Sequence, residues 1–376
     1  MIVNTTESYV DSGSDVSTAN GNSVGITAVD TSLILANAGG SSFSGSGGAI
    51  GGVSLSSGAA SEVNTINNNV RSYVSNSILS ADGGLELNAL SESKIWSLTT
   101  AGAGAGSGGA IGGVSVSGAG AGSVNIIVNT VESYIENGST ISSGSGKDIK
   151  LSAIDRSAIM ANAGGASASG SGGVAGGVAV SSGSATAVSD ITNTVRAYIS
   201  GSTVNSGGGV ELYASSEASI WALSLGGAFS GSGGAVGASV AGAGSVATNI
   251  IHNTVEAYIK NSSDVSTSNG KSLLISAQDK ADIQANAAAQ SISFIISVTG
   301  AAVSIGTVIS VNEIGNTVQA YIEDSKIVSA GEVNILATST STVDSKAVAT
   351  AIAAGVSPGG LGVAGTGATA SNKIEN

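Results

Sequence analysis

The stretch Asn253-Thr254-Val255-Glu256-Ala257-Tyr258-Ile259 decides how the rest of this sequence is interpreted. Six versions of it begin at asparagines that are 60 to 64 residues apart by subtraction: Asn4, Asn68, Asn129, Asn193, Asn253 and Asn316. A tyrosine follows five residues after each asparagine: Tyr9, Tyr73, Tyr134, Tyr198, Tyr258 and Tyr321. A near-constant period of this size is typical of a repeat protein.

The repeats predict one array over residues 1–376 in which each repeat contacts mainly its neighbours. The predicted repeats of roughly 62 residues span 4–67, 68–128, 129–192, 193–252, 253–315 and 316–375. The final residue, Asn376, stands where a seventh copy of the motif would start. The motif begins directly after Met1-Ile2-Val3, and no secretory signal precedes it. We therefore expect a fragment of a longer array or, alternatively, a complete subunit with complementary ends.

One position of the motif alternates in charge between successive repeats. It is occupied by Glu7, Arg71, Glu132, Arg196, Glu256 and Gln319. If neighbouring repeats lie side by side in register, each acid lies beside a base, and each such pair contributes about 0.2–1 kcal/mol. The alternation therefore predicts a ladder of ion pairs. The alternative is an ancestral duplication of a repeat pair, in which the alternating residues do not touch.

The composition describes an ordered chain that is poor in charge. Of 376 residues, 57 are glycine, 41% are hydrophobic, 3% are aromatic and 10% are charged. Disorder requires low hydrophobicity and high charge. A net charge of −13 without a basic run argues against nucleic acid as a partner. The absence of cysteine excludes disulfides and thiolate chemistry.

Each repeat has a charged part and a charge-free part. In the motif, Val255, Ala257 and Ile259 alternate with Thr254, Glu256 and Tyr258, which predicts a strand with two different faces. No Asp, Glu, Lys or Arg occurs between Glu217 and Glu256. We interpret this part as a bend between strands whose Ala, Gly and Ser faces allow two sheets to approach closely.

These patterns predict an all-β fold, a β-solenoid of six repeats, in which equivalent residues form columns. Either one wide coil holds a whole repeat, or three coils of about 20 residues do. The charge alternation favours the wide coil. One column is strictly aliphatic and predicted to face inward: Ile34, Ile95, Ile159, Ile220, Ile283 and Val343. The adjacent column is predicted to face outward: Leu35, Trp96, Met160, Trp221, Gln284 and Asp344.

The candidate chemical sites are weak. His252 is the only histidine, and the acids form no evident catalytic pair, so we expect no enzyme and no catalytic, cofactor-binding or metal-binding residue. Asp30, Asp155 and Asp279 recur in odd repeats only, which suggests solvated turn aspartates over weak calcium sites. The run 338–342 is too short for an ice-binding array. The sequence Gly270-Lys271-Ser272 lacks the first glycine of a phosphate loop.

The uncharged segment 291–311 has the length of a membrane span, but parts of it alternate and its counterparts are rich in Gly and Ser. We therefore expect no membrane insertion.

Three patterns carry a resemblance that covers nearly the whole chain. They are Ser-Gly-Gly-Ala-x-Gly at 232–237, Val-Asn-x-Ile-x-Asn-Thr-Val-x-Ser-Tyr-Ile at 124–135, and Ser-x-Val-x-Ser-x-x-Gly-Val-x-Leu-x-Ala at 202–214. Together they resemble the repeats of giant Gram-negative surface adhesins of the haemagglutinin-like, leukotoxin-like and autotransporter-like kinds. The sequence departs from that family in one respect, since we expect neither a secretion domain nor a membrane barrel in it. The resemblance supplies no functional residues, because the repeats of that family act as scaffold.

The resemblance implies an extracellular, cell-surface location and a stalk or adhesive role. We expect a non-enzymatic scaffold whose partners are neighbouring repeats of a longer chain, further copies of itself joined head-to-tail or laterally, or a receptor on a host or cell surface. The alternative is a filament subunit that stacks end to end through its open coils.

Overall fold

The computed structural model describes residues 1–356 and 358–376. Within these residues the chain forms strands and turns and no helix, which confirms the all-β prediction. The strands are β1 (Ile2–Val10), β2 (Asp15–Thr18), β3 (Val24–Gly48), β4 (Gly51–Ser75), β5 (Ile78–Ala81), β6 (Leu85–Gly109), β7 (Gly112–Glu136), β8 (Thr140–Ser143), β9 (Ile149–Gly173), β10 (Gly176–Ile191), β11 (Thr194–Ser200), β12 (Thr203–Asn205), β13 (Val210–Ile251), β14 (Thr254–Lys260), β15 (Asp264–Ser266), β16 (Leu273–Gly315), β17 (Thr317–Ile322), β18 (Lys326–Val328), β19 (Val333–Val356) and β20 (Gly359–Glu375).

One coil has two long sides and one short side. Strand β3 runs outward for 25 residues, the chain bends at residues 49–50, and β4 returns for 25 residues and ends in the motif. The four-residue strand β5 then forms the short side. In the fourth and fifth coils the outward and return segments are continuous with each other and form the single strands β13 and β16. At about 3.3 Å per residue, the long sides measure about 80 Å.

The coils stack in parallel and in register. Asn4 pairs with Asn68, and Asn68 with Asn129, so paired residues are one repeat apart in sequence. Each repeat therefore forms one wide coil and not three small ones. The short strands form a six-stranded sheet of their own. With strands about 4.8 Å apart, six layers stack to about 29 Å, which is much less than the width of a coil. The fold is a β-solenoid, as predicted.

The core narrows from the short side towards the bend. Around the short side it is filled by large aliphatic residues such as Leu79, Leu87 and Ile135. Further out, the isoleucine columns of the two long sides meet, for example Ile95 and Ile127. Beyond them the apolar core consists of alanines from both sides and Val308. The size of the inward residue thus follows the distance between the two long sheets, because a close-packed interior leaves neither voids nor overlaps.

Near the bend the two sheets touch through their backbones. A Cβ added at Gly165 would overlap the carbonyl oxygen of Ser184 on the opposite sheet. A Cβ at Gly113 would lie 2.7 Å from the Oγ of Ser107. The same contact joins Gly52 to Ser46 and Gly177 to Ser171, so a serine before the bend lies opposite an inward glycine six residues later.

The orientation of the two adjacent columns on the outward strands agrees with the prediction. Ile95 and Ile220 are buried, whereas Leu35 and Trp96 are 67% and 54% exposed. The uncharged segment 291–311 lies within β16. No helix of the described residues is long and apolar enough to cross a membrane.

Candidate functional site

The alternating charges lie in one column on the outer surface of the motif strands. Arg71 binds both neighbours: its Nη1 is 3.2 Å from Oε1 of Glu7, and its Nε is 3.1 Å from Oε2 of Glu132. Arg196 repeats this arrangement, at 3.4 Å from Glu132 and 2.6 Å from Glu256. Gln319 pairs in register with Glu256. Every arginine of this column thus joins three coils.

The tyrosines form a continuous stack beside the charges. Neighbouring ring centroids are 4.8–5.0 Å apart and the ring planes are within 12° of parallel, from Tyr9 through Tyr73, Tyr134, Tyr198 and Tyr258 to Tyr321. The centroid separation equals the spacing of neighbouring strands, so the backbone sets the stacking distance. Burial raises the pKa of the Tyr134 hydroxyl above its ordinary value of 10.

The motif asparagines form a ladder on the inside of the coil. The backbone N–H of Asn129 donates to Oδ1 of Asn193 at 2.9 Å, and that of Asn193 to Oδ1 of Asn253 at 3.1 Å. The same bond joins Asn68 to Asn129 and Asn253 to Asn316. Hydrogen-bonded asparagine ladders are a recognised stabilising device in stacked sheets.

The recurrent aspartates complete this ladder. Asp155 accepts hydrogen bonds from Nδ2 of Asn129 at 2.9 Å and from Nδ2 of Asn193 at 2.7 Å, and so bridges two coils. Asp30 bridges Asn4 and Asn68, and Asp279 bridges Asn253 and Asn316, in the same way. The interpretation of these residues as solvated turn aspartates is therefore wrong. They lie in the core, in the strands β3, β9 and β16.

Burial governs the ionisation of Asp155 and Asp279. Desolvation raises the pKa of Asp155 to about 6, although hydrogen bonds from Ser157, Asn129 and Ser91 favour its charged form. Desolvation likewise raises the pKa of Asp279 to about 6. The register places serines between the aspartates, at Ser91, Ser216 and Ser339. This spacing prevents two buried carboxylates from facing each other in adjacent coils.

The structure contains further ladders that the sequence analysis missed. Arg156 lies 3.3 Å from Glu92 and 3.5 Å from Glu217, and Lys150 lies 3.6 Å from Glu211. A second set of inward asparagines is joined by side-chain hydrogen bonds between Asn64 and Asn125, between Asn249 and Asn312, and between Asn312 and Asn372. Both kinds of ladder could have been predicted from the sequence, because their charges alternate, or their asparagines recur, with the same period as the motif.

The residues considered as weak candidates for catalysis, metal binding, phosphate binding or ice binding lie in turns or on strands without a converging site. His252 lies between β13 and β14, with Nε2 3.7 Å from Oε1 of Glu313. Among the described residues no group of three or more His, Asp or Glu side chains converges as a metal site. The sequence Gly270-Lys271-Ser272 lies in the turn before β16, and the threonine run 338–342 lies on β19.

Comparison with protein-family models, with curated proteins and with solved structures finds no match to this chain. The geometry of the ladders is therefore the ground for a functional proposal.

Proposed function

We propose that this chain is a non-enzymatic scaffold segment of a large extracellular bacterial surface protein, which holds an adhesive region in a fixed position. One observation carries the proposal: the residues that recur most regularly bind their own counterparts in the next coil. Arg71, Asn129 and Tyr134 each contact neighbours both before and after them in the stack. This use of recurrent polar and aromatic side chains supports a structural role.

The shape of a coil supports a scaffold more than a long stalk. Each repeat adds only about 4.8 Å along the stacking axis, while each long side extends for about 80 Å. The segment therefore provides width and two large flat surfaces. The net charge of −13 suits an exposed, soluble surface, because a high net charge opposes non-specific association.

A head-to-tail filament is the second candidate. Nδ2 of Asn376 donates to Oγ of Ser341 at 3.0 Å, just as Nδ2 of Asn129 donates to Oγ of Ser93 at 3.1 Å. The asparagine ladder thus has a seventh position, ready for a further coil. That coil is supplied either by a continuation of the chain or by another copy, since an unpaired strand edge is a template for both.

Electron microscopy of the purified chain tests the scaffold against the filament. We expect discrete plates about 80 Å wide and about 29 Å thick along the stacking axis for the scaffold. Fibres of the same width that lengthen with protein concentration would favour the filament. Compact particles without a long dimension would contradict both.

Surface labelling tests the location. Antibodies against the purified chain should label intact cells of the producing organism. Labelling only after the cells are made permeable would overturn the extracellular assignment.

A further inference from the structure

The return strands have an inverted polarity near the bend. In β4, Val53 and Leu55 point outward and are 69% and 70% exposed, whereas Ser54 and Ser56 point inward and are buried. The same inversion occurs in β7, where Val114 is 39% exposed and Ser115 is fully buried. The inside needs small residues because the two sheets touch there. That need explains the inward serines but leaves the outward valines unexplained.

The outward residues of the return strands form one continuous uncharged surface, which we call the valine panel. In-register pairing aligns its six columns across the coils. The columns begin in the first coil at Val53, Leu55, Ser57, Ala59, Ser61 and Val63 and end in the last coil at Leu361, Val363, Gly365, Gly367, Thr369 and Ser371. None of the residues in these columns is charged.

The valine panel is a large uncharged surface. Residues on one face of a strand repeat about every 6.6 Å and strands lie about 4.8 Å apart, so the panel measures about 34 Å by 29 Å. This is roughly 1,000 Å² of uncharged surface, in which valine, leucine, isoleucine, alanine and glycine surround serines and threonines. The largest purely apolar patch on a typical monomer is about 300–600 Å². Two such panels would bury roughly 2,000 Å², more than the ~1,600 Å² of a standard stable interface.

The shape of the panel suits a copy of itself. In the second to fourth coils, valines form one ridge at Val116, Val180 and Val240, and a second ridge begins at Val124 and Val188. In these three coils the residues between the ridges are glycines and serines apart from Thr186 and Val246, and they leave a shallow trough that ends at Ile305 and Ile309 of the fifth coil. A ridge of one copy can enter the trough of another, because both repeat at the same strand spacing.

Charge and hydrogen bonding favour a second copy of the chain over a lipid bilayer as the partner of the valine panel. A chain of net charge −13 repels its own copies, and an uncharged panel is where that repulsion is least. A lipid bilayer is the competing apolar partner, but open sheet edges do not occur in hydrocarbon. The outermost strands of this stack, β1 and β20, each pair on one side only. We infer that the valine panel docks against the valine panel of a second copy, face to face and related by a two-fold axis.

The test introduces a pair of opposite charges into the panel. Val116 and Val180 are paired neighbours, so the double variant Val116→Glu, Val180→Lys places a favourable ion pair on the surface without changing the net charge. Sedimentation of the unaltered chain should show a concentration-dependent mass of twice 35.7 kDa. The double variant should stay monomeric, with a melting temperature within a few degrees of the unaltered chain, because both side chains face outward.

The matched control places the same charges on the opposite long side. Leu223 and Asn286 are also paired neighbours, and Leu223→Glu with Asn286→Lys should leave the dimer intact. An unaltered chain that is monomeric at ~100 μM, or a panel variant that associates as strongly as the unaltered chain, would overturn the inference. Binding of a monomeric chain to neutral phosphatidylcholine vesicles would overturn it in favour of a membrane. Head-to-tail filaments would survive the panel variant, so this inference and the proposed function can fail separately.

Discussion

At the scale of single residues, the buried aspartates account for the difference between odd and even repeats. Asp155 receives two asparagine side chains from successive coils, and its equivalents two coils away do the same. One carboxylate can accept several hydrogen bonds, so one aspartate serves two repeats. A second carboxylate in the intervening coil would add a like charge and a further desolvation cost. Serine at Ser91 and Ser216 avoids both costs.

The aspartates predict that the fold becomes less stable as the pH rises. The folded pKa of Asp155 and of Asp279 is about 6, above the unfolded value of 3.8. The folded state therefore binds more protons at these two groups between these values, and the stability that they contribute is fully present below pH 4 and is lost as the pH rises through 6. Each carboxyl group should account for about 3 kcal/mol. Urea unfolding from pH 4 to 7 measures the effect, with other groups adding their own dependence.

The control is the double variant Asp155→Asn, Asp279→Asn, which removes both titrating groups. Its free energy of unfolding should depend less on pH in the range 4–6 than that of the unaltered chain. An identical pH profile for the two proteins would show that these carboxyl groups do not carry the dependence.

Two adjacent glycines give a sharp test of the contact between the sheets. Gly165 faces inward, and a Cβ there would overlap Ser184, whereas a Cβ at Gly164 would meet nothing within 4 Å. Gly165→Ala should lower the free energy of unfolding by about 2 kcal/mol or more, because overpacking strains both sheets. Gly164→Ala should raise it by about 0.5–1 kcal/mol, because glycine loses more entropy in a strand. Equal effects in urea unfolding would contradict the close approach.

At the scale of elements, the strands are held together by columns of like or alternating residues. A parallel strand pair in register places each residue beside its equivalent, so a column of identical charges would repel. Three columns avoid this repulsion because acidic and basic residues alternate in them. One of these columns runs through Glu92, Arg156 and Glu217. Tyrosine and asparagine need no alternation, since both stack favourably on copies of themselves.

The motif ladder predicts strong coupling between Glu132 and Arg196. Either single charge reversal turns two favourable pairs into repulsive ones, which should cost about 1–2 kcal/mol and less at high salt. The double reversal restores the central pair and leaves one repulsion on each side. It should therefore be about as stable as either single variant. Additive losses in a double-mutant cycle of thermal unfolding would indicate that the two side chains do not interact.

At the scale of the whole molecule, the parity of the coils restricts which coils can be neighbours. Odd coils supply an acid to the motif ladder and an aspartate to the core. Even coils supply a serine to the core, and to the ladder they supply a base in the second and fourth coils and Gln319 in the sixth. A stack of two odd or two even coils would break both ladders at once. The unit of the fold is therefore a pair of coils.

Deletion of whole coils tests this parity. Removing residues 129–252 takes out two coils and leaves Arg71 beside Glu256. Removing 129–192 takes out one, which places Arg71 beside Arg196 and removes Asp155, the partner of Asn193. We expect the variant that lacks two coils to have the higher melting temperature by circular dichroism, although it is the shorter protein. A higher melting temperature for the one-coil deletion would contradict the paired unit.

The sequence by itself determined the strand class, the columns and much of their register, because stacked repeats place equivalent residues side by side. The tyrosine column and the alternation of Glu132 with Arg196 could be identified from spacing alone. A period of two residues separates the two faces of a strand. The aliphatic column through Ile95 showed which face of the outward strands lies inside.

Only the tertiary structure decided what is buried where the sheets converge. Asp155 lies in the core because two asparagines from neighbouring coils meet it there, and those contacts join residues 26 and 38 positions apart. Serines face inward near the bend because the distance between the sheets, and not hydrophobicity, limits the side chain that fits there. That distance is a property of the closed coil, which no single repeat of the sequence contains.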